Sequence, residues 1–318
     1  MELKEKICQD LKINEQLVDN LLVNSNRNYV LFKIPKNNGG YRIVAHPINK
    51  LKMLQYWLIW EIFKDMTVSN KAFAYQENVS ILDNAKYHSK NKYFLKLDLK
   101  DFFHSICRDD FIFYLREWHN RVKPDWPLNH SAISLISSCC FLNSGKLPMG
   151  FCSSPIISNI VMYRFDQAVE ALLINNDLQH VKYSRYADDI TLSTNEKGLC
   201  KELFSMVKVL IESTSSPNIN LNDAKTKYVS SKGGSAIITG LRITCEQKVT
   251  VHKKIKDKVR LFLSLYRKDA LSRDDFTKLL GYLSFVRHTE PAFYSKLQLK
   301  YFAEIAKLKE DIKKIAVC

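Results

Sequence analysis

Apolar and polar positions change period several times along this chain. Residues 1–25 place Ile7, Leu11, Leu17, Leu21 and Leu22 among acids and bases, which predicts a helical lead-in. The stretch YVLFKIPKNNGGYRIVAHP (29–47) alternates and breaks at Asn37-Asn38-Gly39-Gly40, a hairpin signal. KLKMLQYWLIWEIFKDM (50–66) has helical spacing, as do parts of 109–142. Between them KYFLKLDLKDFF (92–103) predicts a buried strand with one acid in its middle. SSPIISNIVMYRFDQAVEALL (153–173) predicts one long helix, with Ser154 as cap and Pro155 in the first turn. VKYSRYADDITLST (181–194) predicts a hairpin with acids at its tip. A helix near 196–213, two strands near 226–251 and a wholly helical C-terminal segment complete the pattern. Helices interleaved with mostly antiparallel strands predict an α+β fold. Strands near 93–99, 181–186, 190–194 and 236–244 are expected in one sheet with acids on its solvent-facing rim. No internal repeat or low-complexity tract is visible.

Composition narrows the class. A chain of 318 residues, 46% hydrophobic and 11% aromatic, is too long for one small core and predicts two or three subdomains. No run of 18 uncharged apolar residues is present and the N-terminus lacks the apolar stretch of a signal peptide, so a cytoplasmic protein with no membrane span is expected. The eight cysteines include no CxxC pair, which argues against a zinc module or disulfide framework and predicts reduced, mostly buried thiols. A formal charge of +15 favours a polyanionic partner.

The acids carry the chemistry. Asp-Asp occurs at 109–110, 188–189 and 274–275. The first and last precede helical patterns, the last behind Ser272 as a cap, and read as first-turn acids favoured by the helix dipole. Asp188 and Asp189 sit instead between two strand-like runs, where gathered carboxylates need protons or cations between them. Asp98, inside an apolar strand, is costly to bury unless paired or metal-bound. Two anomalies of one sign on neighbouring strands suggest a shared divalent site. Oxygen ligands favour Mg²⁺, and two such ions can hold the attacking and leaving oxygens of a phosphoryl transfer.

RYADDITLS, FLKLDLKDFFHSI and LPMGFCSSPIISNIVMYRFDQ together resemble the palm of reverse transcriptases, in particular the bacterial retron type, over about residues 30–250. The resemblance implies a right-hand polymerase with fingers, palm and helical thumb. It divides the chain into an N-terminal helix and fingers (1–92), a first palm strand (93–108), fingers/palm helices (109–147), a palm with the YADD hairpin (148–249) and a basic thumb (250–318). It implies that Asp98 and Asp188 bind two Mg²⁺ ions, with Asp189 completing the catalytic cluster. Phe103 would pack beneath the sugar of the incoming dNTP and exclude a 2′-hydroxyl. Arg42, and more loosely Lys36, would hold the triphosphate, and Lys225, with Lys227 second, would protonate the leaving pyrophosphate. Gly150 would permit close backbone approach in a nucleotide-binding loop. Relatives usually carry LPQG there, whereas this chain has Met149, so a polar contact to nucleotide or template is missing or supplied elsewhere.

SILDNAKYH matches the retron NAxxH signature at Asn84, Ala85 and His88, and IITGLRIT matches the VTG motif at Thr239 and Gly240; the resemblance implies that Asn84, His88, Thr239 and Gly240 bind the RNA or its duplex. The alternative for His88 is a plain surface histidine. The C-terminal segment carries twice as many Lys and Arg as Asp and Glu. In HKKIKDKVRLFLSLYRK the residues Ile255, Val259, Phe262, Leu263 and Tyr266 share one helical face, with Lys254, Lys256, Lys258 and Arg267 largely off it, the pattern of a thumb tracking an RNA duplex. Tyr282, Phe285, Tyr294 and Tyr301 read as thumb core. Retron resemblance implies a cognate structured noncoding RNA as template and primer, and a branched RNA–DNA product started from a guanosine 2′-hydroxyl. It further implies dNTP substrates, a host RNase H for RNA removal, and antiphage defence with a separate effector protein. The alternatives are a group II intron-like or other defence-associated reverse transcriptase and, in another class, a noncatalytic RNA-binding scaffold.

Overall fold

The computed structural model describes residues 1–23, 25–36 and 39–315. Helices α1 (Leu3–Leu11) and α2 (Glu15–Val23) open the chain, followed by the hairpin of β1 (Tyr29–Pro35) and β2 (Tyr41–Pro47). Next come α3 (Asn49–Glu61), α4 (Ile81–His88), β3 (Tyr93–Asp98), the short α5 (Phe102–Ser105), α6 (Arg108–Val122), α7 (His130–Cys140), α8 (Ser154–Val161) and α9 (Tyr163–Asn175). Strands β4 (Lys182–Tyr186) and β5 (Asp189–Thr194) lead to α10 (Leu199–Ser213), then to β6 (Lys227–Ser230), β7 (Ser235–Ile238), β8 (Leu241–Thr244) and β9 (Val249–Val251). Helices α11 (Lys253–Arg267), α12 (Asp274–Thr289), α13 (Pro291–Lys300) and α14 (Phe302–Ile315) end the chain. No helix among the described residues is long and apolar enough to cross a membrane. The chain divides into two compact units, Met1–Val79 with Leu95–Tyr228, and Ser80–Phe94 with Val229–Cys318.

In the first unit the lead-in is two helices rather than one. A left-handed Lys12 ends α1, and Val18 is buried while Leu17 is only half-buried. β1 and β2 pair antiparallel from Tyr29↔Pro47 to Pro35↔Tyr41, closed by a Lys36 N–H to Gly40 carbonyl bond of 3.0 Å. Asn37 and Asn38 of the predicted turn lie outside the described residues. The central sheet runs β4-β5-β3-β6, with α9 packed on β4 and α10 on β5. Segment 236–244, expected in this sheet, is absent from it and β6 holds the edge instead. Asp98 ends β3 rather than interrupting it, so the apolar run precedes the acid.

The expected long helix breaks at Met162 into α8 and α9. The Ser158 hydroxyl bonds back to the Pro155 carbonyl at 2.7 Å, a contact that bends helices. The N-cap is Ser153, not Ser154, whose hydroxyl donates to the Pro148 carbonyl at 2.6 Å; the first-turn proline stands as predicted. Asp109 and Asp110 do open α6, with the Asp110 carboxylate accepting from the Cys107 N–H at 2.7 Å.

The second unit has its own core. Four strands form where two were expected between 226 and 251, because positive φ at Thr239, Gly240 and Gln247 turns the chain back repeatedly. β7-β8-β9 form a separate sheet. Ala236, Ile238, Leu241 and Ile243 pack with Leu82 and Ala85 of α4. Val259, Leu263 and Tyr266 of α11 bury against Leu279, Leu283, Tyr294 and Tyr301, with Ile255, Phe262, Tyr282 and Phe285 partly buried around them, the face the sequence predicts. Asp274 and Asp275 lie in the first turn of α12 as expected, but its N-cap is Arg273 and no side chain caps it, so Ser272 does not play that part. Of the cysteines, Cys139, Cys140 and Cys200 are buried, Cys8, Cys107 and Cys152 half-buried and Cys245 exposed, all free. The expectation of mostly buried thiols fails for the four that lie nearer element ends and surfaces. Cys318 lies outside the described residues.

Candidate active site

β3 and the β4–β5 turn bring Asp98, Asp188 and Asp189 together. The Leu99 N–H donates to the Asp188 carbonyl at 2.9 Å, fixing the end of β3 beside the turn. Ala187, the first of two turn residues, has φ 55°, a conformation that such hairpins ordinarily give to glycine. Asp188 follows in the turn, and Asp189 opens β5 opposite Tyr186.

The three carboxylates feel one another. Desolvation pushes Asp188 above the ordinary aspartate value, and the charges of Asp189 and Asp98 push it further. Asp189, whose residue surface remains open, is also raised by desolvation; Lys96 opposes this and Asp98 adds to it. Lys96 points to the same side of β3 as Asp98, two residues on. The Asp98 carboxylate holds Lys225, whose Nζ lies 2.9 Å from both oxygens, and accepts from Asn222 Nδ2 at 3.0 Å. Backbone bonds from Asn222 N–H to the Asp98 carbonyl and from Lys100 N–H to the Asn220 carbonyl, both 2.8 Å, lay the Lys225 segment along β3. Among the described residues no three His, Cys, Asp or Glu side chains form a ready metal cage. An ammonium instead occupies one side of an under-compensated acidic cluster. That donor set, hard oxygens with a cation already drawn to it, fits a divalent ion such as Mg²⁺.

A second acid braces the same hairpin from inside. Arg185 and Asp166 are fully buried and paired through two bonds, Nε–Oδ1 at 2.8 Å and Nη2–Oδ2 at 2.7 Å. The Tyr183 hydroxyl donates to Asp166 Oδ1 at 2.6 Å, and Arg185 Nη1 donates to Asn159 Oδ1 at 3.1 Å. Backbone bonds of 2.8 Å join Arg185 N–H to the Lys71 carbonyl and Phe73 N–H to the Arg185 carbonyl. β4 is therefore locked two residues before the acidic turn. The sequence does not announce this pair, because the partner of Arg185 lies nineteen positions away on a helix.

Phe103 is half-buried on α5, its ring 6.4 Å from that of Tyr75 and 5.4 Å from that of Phe102. Tyr75 was missed by sequence reasoning. Its phenol is raised by desolvation and then by the Asp188 charge, so Tyr75 neighbours both Phe103 and Asp188. Its positive φ of 61° offers no signal readable from sequence. Arg42 and Lys36 stand exposed on the β1–β2 hairpin. The base of that hairpin is tied to the LPMG loop by an Ala45 N–H to Met149 carbonyl bond of 2.8 Å. Gly150, at φ 108°, leaves no room for a Cβ, which would come 2.6 Å from both the Ala45 oxygen and Val44 Cγ1. Its close approach is thus made to the hairpin.

In the second unit Asn84 and His88 are both buried on α4, so the surface-histidine alternative fails and neither side chain offers solvent-facing area. Thr239 and Gly240, at φ 45° and 82°, form the two-residue turn between β7 and β8, and the Thr239 hydroxyl donates to the Ile81 carbonyl at 3.1 Å. The two signature segments are therefore one packed assembly. Lys254 is exposed on α11. Lys256 pairs with Glu290 at 2.7 Å, and Arg267 binds Glu304 and lies 4.5 Å over the Tyr301 ring.

The sequence profile of the family described as "Reverse transcriptase (RNA-dependent DNA polymerase)" matches residues 34–282. The retron Ec73 reverse transcriptase of Escherichia coli is 39% identical over 274 residues, 86% of each chain. This chain belongs to the retron reverse transcriptases. The retron Ec83 enzyme of Escherichia coli is 35% identical over 281 residues, again 86% of each chain. Apo telomerase from Candida tropicalis aligns over 76% of this chain and 61% of its own, at 13% identity and a TM-score of 0.46, too loosely to bear on the assignment. The retron enzyme is accordingly an RNA-directed DNA polymerase with a right-hand polymerase fold, working on an RNA template in a family that generally uses divalent metal ions.

Proposed function

We propose that this retron polymerase copies a cognate structured noncoding RNA into single-stranded DNA that stays linked to the RNA, with synthesis primed from a guanosine 2′-hydroxyl. The convergence of Asp98, Asp188 and Asp189 beside Lys225 carries the reading. Asp98 and Asp188 would hold two Mg²⁺ ions, with Asp189 in support. Such ions supply charge stabilisation for an attacking and a leaving oxygen. The chain's own residues do the rest. The Arg185–Asp166 pair fixes the turn that aims Asp188 and Asp189. Phe103, backed by Tyr75, forms a wall against which a deoxyribose fits and a 2′-hydroxyl does not. Arg42 and Lys36 supply positive charge to the triphosphate from the hairpin that Gly150 seats. Lys225, which pairs with Asp98, delivers a proton to the departing pyrophosphate.

Fingers are assigned to 1–92, palm to 93–108 and 148–249, connecting helices to 109–147 and thumb to 250–318. Lys254, Lys256 and Arg267 would face a duplex backbone, and the turn at Thr239-Gly240 would support that surface. A host RNase H, a separate effector protein and antiphage defence in the cytoplasm complete the proposal. Purifying the chain with its bound nucleic acid, sequencing that nucleic acid and supplying dNTPs with Mg²⁺ tests it. A branched RNA–DNA product that disappears in Asp188→Asn is expected, and activity retained in that variant sinks the assignment.

A further inference from the structure

Helix α3 presents a regular line of side chains. Lys52, Tyr56, Trp60 and Lys64, the last just beyond the helix end, stand four residues apart and so share one side. Tyr56 is 51% exposed and Trp60 52%, whereas Trp57, Trp118 and Trp126 are buried. Lys64 Nζ lies 5.4 Å from the Trp60 ring centroid. At the other end Lys52 Nζ lies 3.0 Å from His46 Nε2, and His46 meets Phe32 edge-on with centroids 6.0 Å apart. The Tyr56 phenol is raised by its interaction with the Cys152 thiol, two residues beyond Gly150, so the two side chains are neighbours. The line therefore runs from the exposed hairpin, past the LPMG loop, along α3.

Single exposed aromatics need no explanation. Two of them one turn apart, flanked by lysines, combine the requirements of sequence-independent binding to an unpaired strand: π faces for bases and ammonium groups for phosphates. A duplex keeps its bases stacked internally and would leave both rings unused. The formal charge of +15 favours a polyanion over a protein as the occupant. From residue 52 to 64 the track extends about 18 Å. We infer that this line binds an unpaired segment of the template RNA on its way to the acidic cluster. This rests on the polymerase reading for the identity of the strand.

Trp60 is the exposed tryptophan, so it reports on its own occupancy. Titrating the full chain with an unpaired oligouridylate of about ten nucleotides should quench tryptophan emission. Trp60→Leu should abolish the quench, and combined with Tyr56→Ala it should weaken binding about tenfold or more by anisotropy of labelled RNA. Trp60→Phe should restore affinity without restoring the signal, and Lys52→Gln with Lys64→Gln should flatten the salt dependence by about two released counterions. Undiminished quenching in Trp60→Leu, unchanged affinity in the double variant, or equal quenching by duplex RNA overturns the inference. Track variants that bind like wild type in a chain that still incorporates dNTPs defeat the track alone. RNA binding through Trp60 in a chain that incorporates none defeats the polymerase reading alone.

Discussion

Asp166 and Asp188 belong to neighbouring parts of one hairpin assembly and meet opposite fates. Asp166 is fully buried, yet Arg185 and Tyr183 satisfy both its oxygens. Asp188 keeps two acidic neighbours, and its carboxyl is raised by desolvation and by their charge. Burial alone therefore does not mark a working acid. What marks it is charge that the protein leaves uncompensated, which a ligand can then supply.

Asp188→Asn is expected to have the largest effect: a loss of DNA synthesis of about a thousandfold or more, with the melting midpoint unchanged or raised. Primer extension and thermal melting on one preparation check both halves. Asp166→Ala should act first on stability, costing about 3–5 kcal/mol because it strands a buried guanidinium, measured by denaturant unfolding. A variant with weakened activity but intact stability would erase the contrast. Phe103→Ala should raise ribonucleotide incorporation about tenfold relative to dNTPs in single-nucleotide assays. No change removes Phe103 as the gate.

The smallest effect concerns pH. A carboxyl raised on folding opposes the fold above its unfolded value, since the unfolded chain ionises first. Asp188→Asn should therefore stabilise the metal-free chain near neutral pH, and the gain should vanish as pH falls below about 4. Added Mg²⁺ should raise the wild-type midpoint more than that of the variant. Melting curves across pH, with and without Mg²⁺, read all of these.

Much of this was legible in the sequence. Asp98 and the YADD pair stood out because acids inside apolar, strand-forming runs are costly, and α11 declared its buried face through spacing. Long-range partners did not declare themselves. Nothing local assigns Asp166 to Arg185, puts Tyr75 beside Phe103, or removes 236–244 to a second sheet. That last exchange depends on positive φ at Thr239, a residue with no intrinsic preference for it. His88 read as an RNA-binding candidate, or else as a plain surface histidine, because a signature motif does not say which way its side chain points.

The bond between Ala45 and Met149 is made by main-chain atoms alone, while Gly150 supplies the clearance. The joint between hairpin and loop is therefore indifferent to which side chain stands at 149 and intolerant of any at 150. Methionine can replace the family's glutamine without dismantling the machine. Position 149 is thus left free by the backbone to change its side chain, next to a position that has to stay bare.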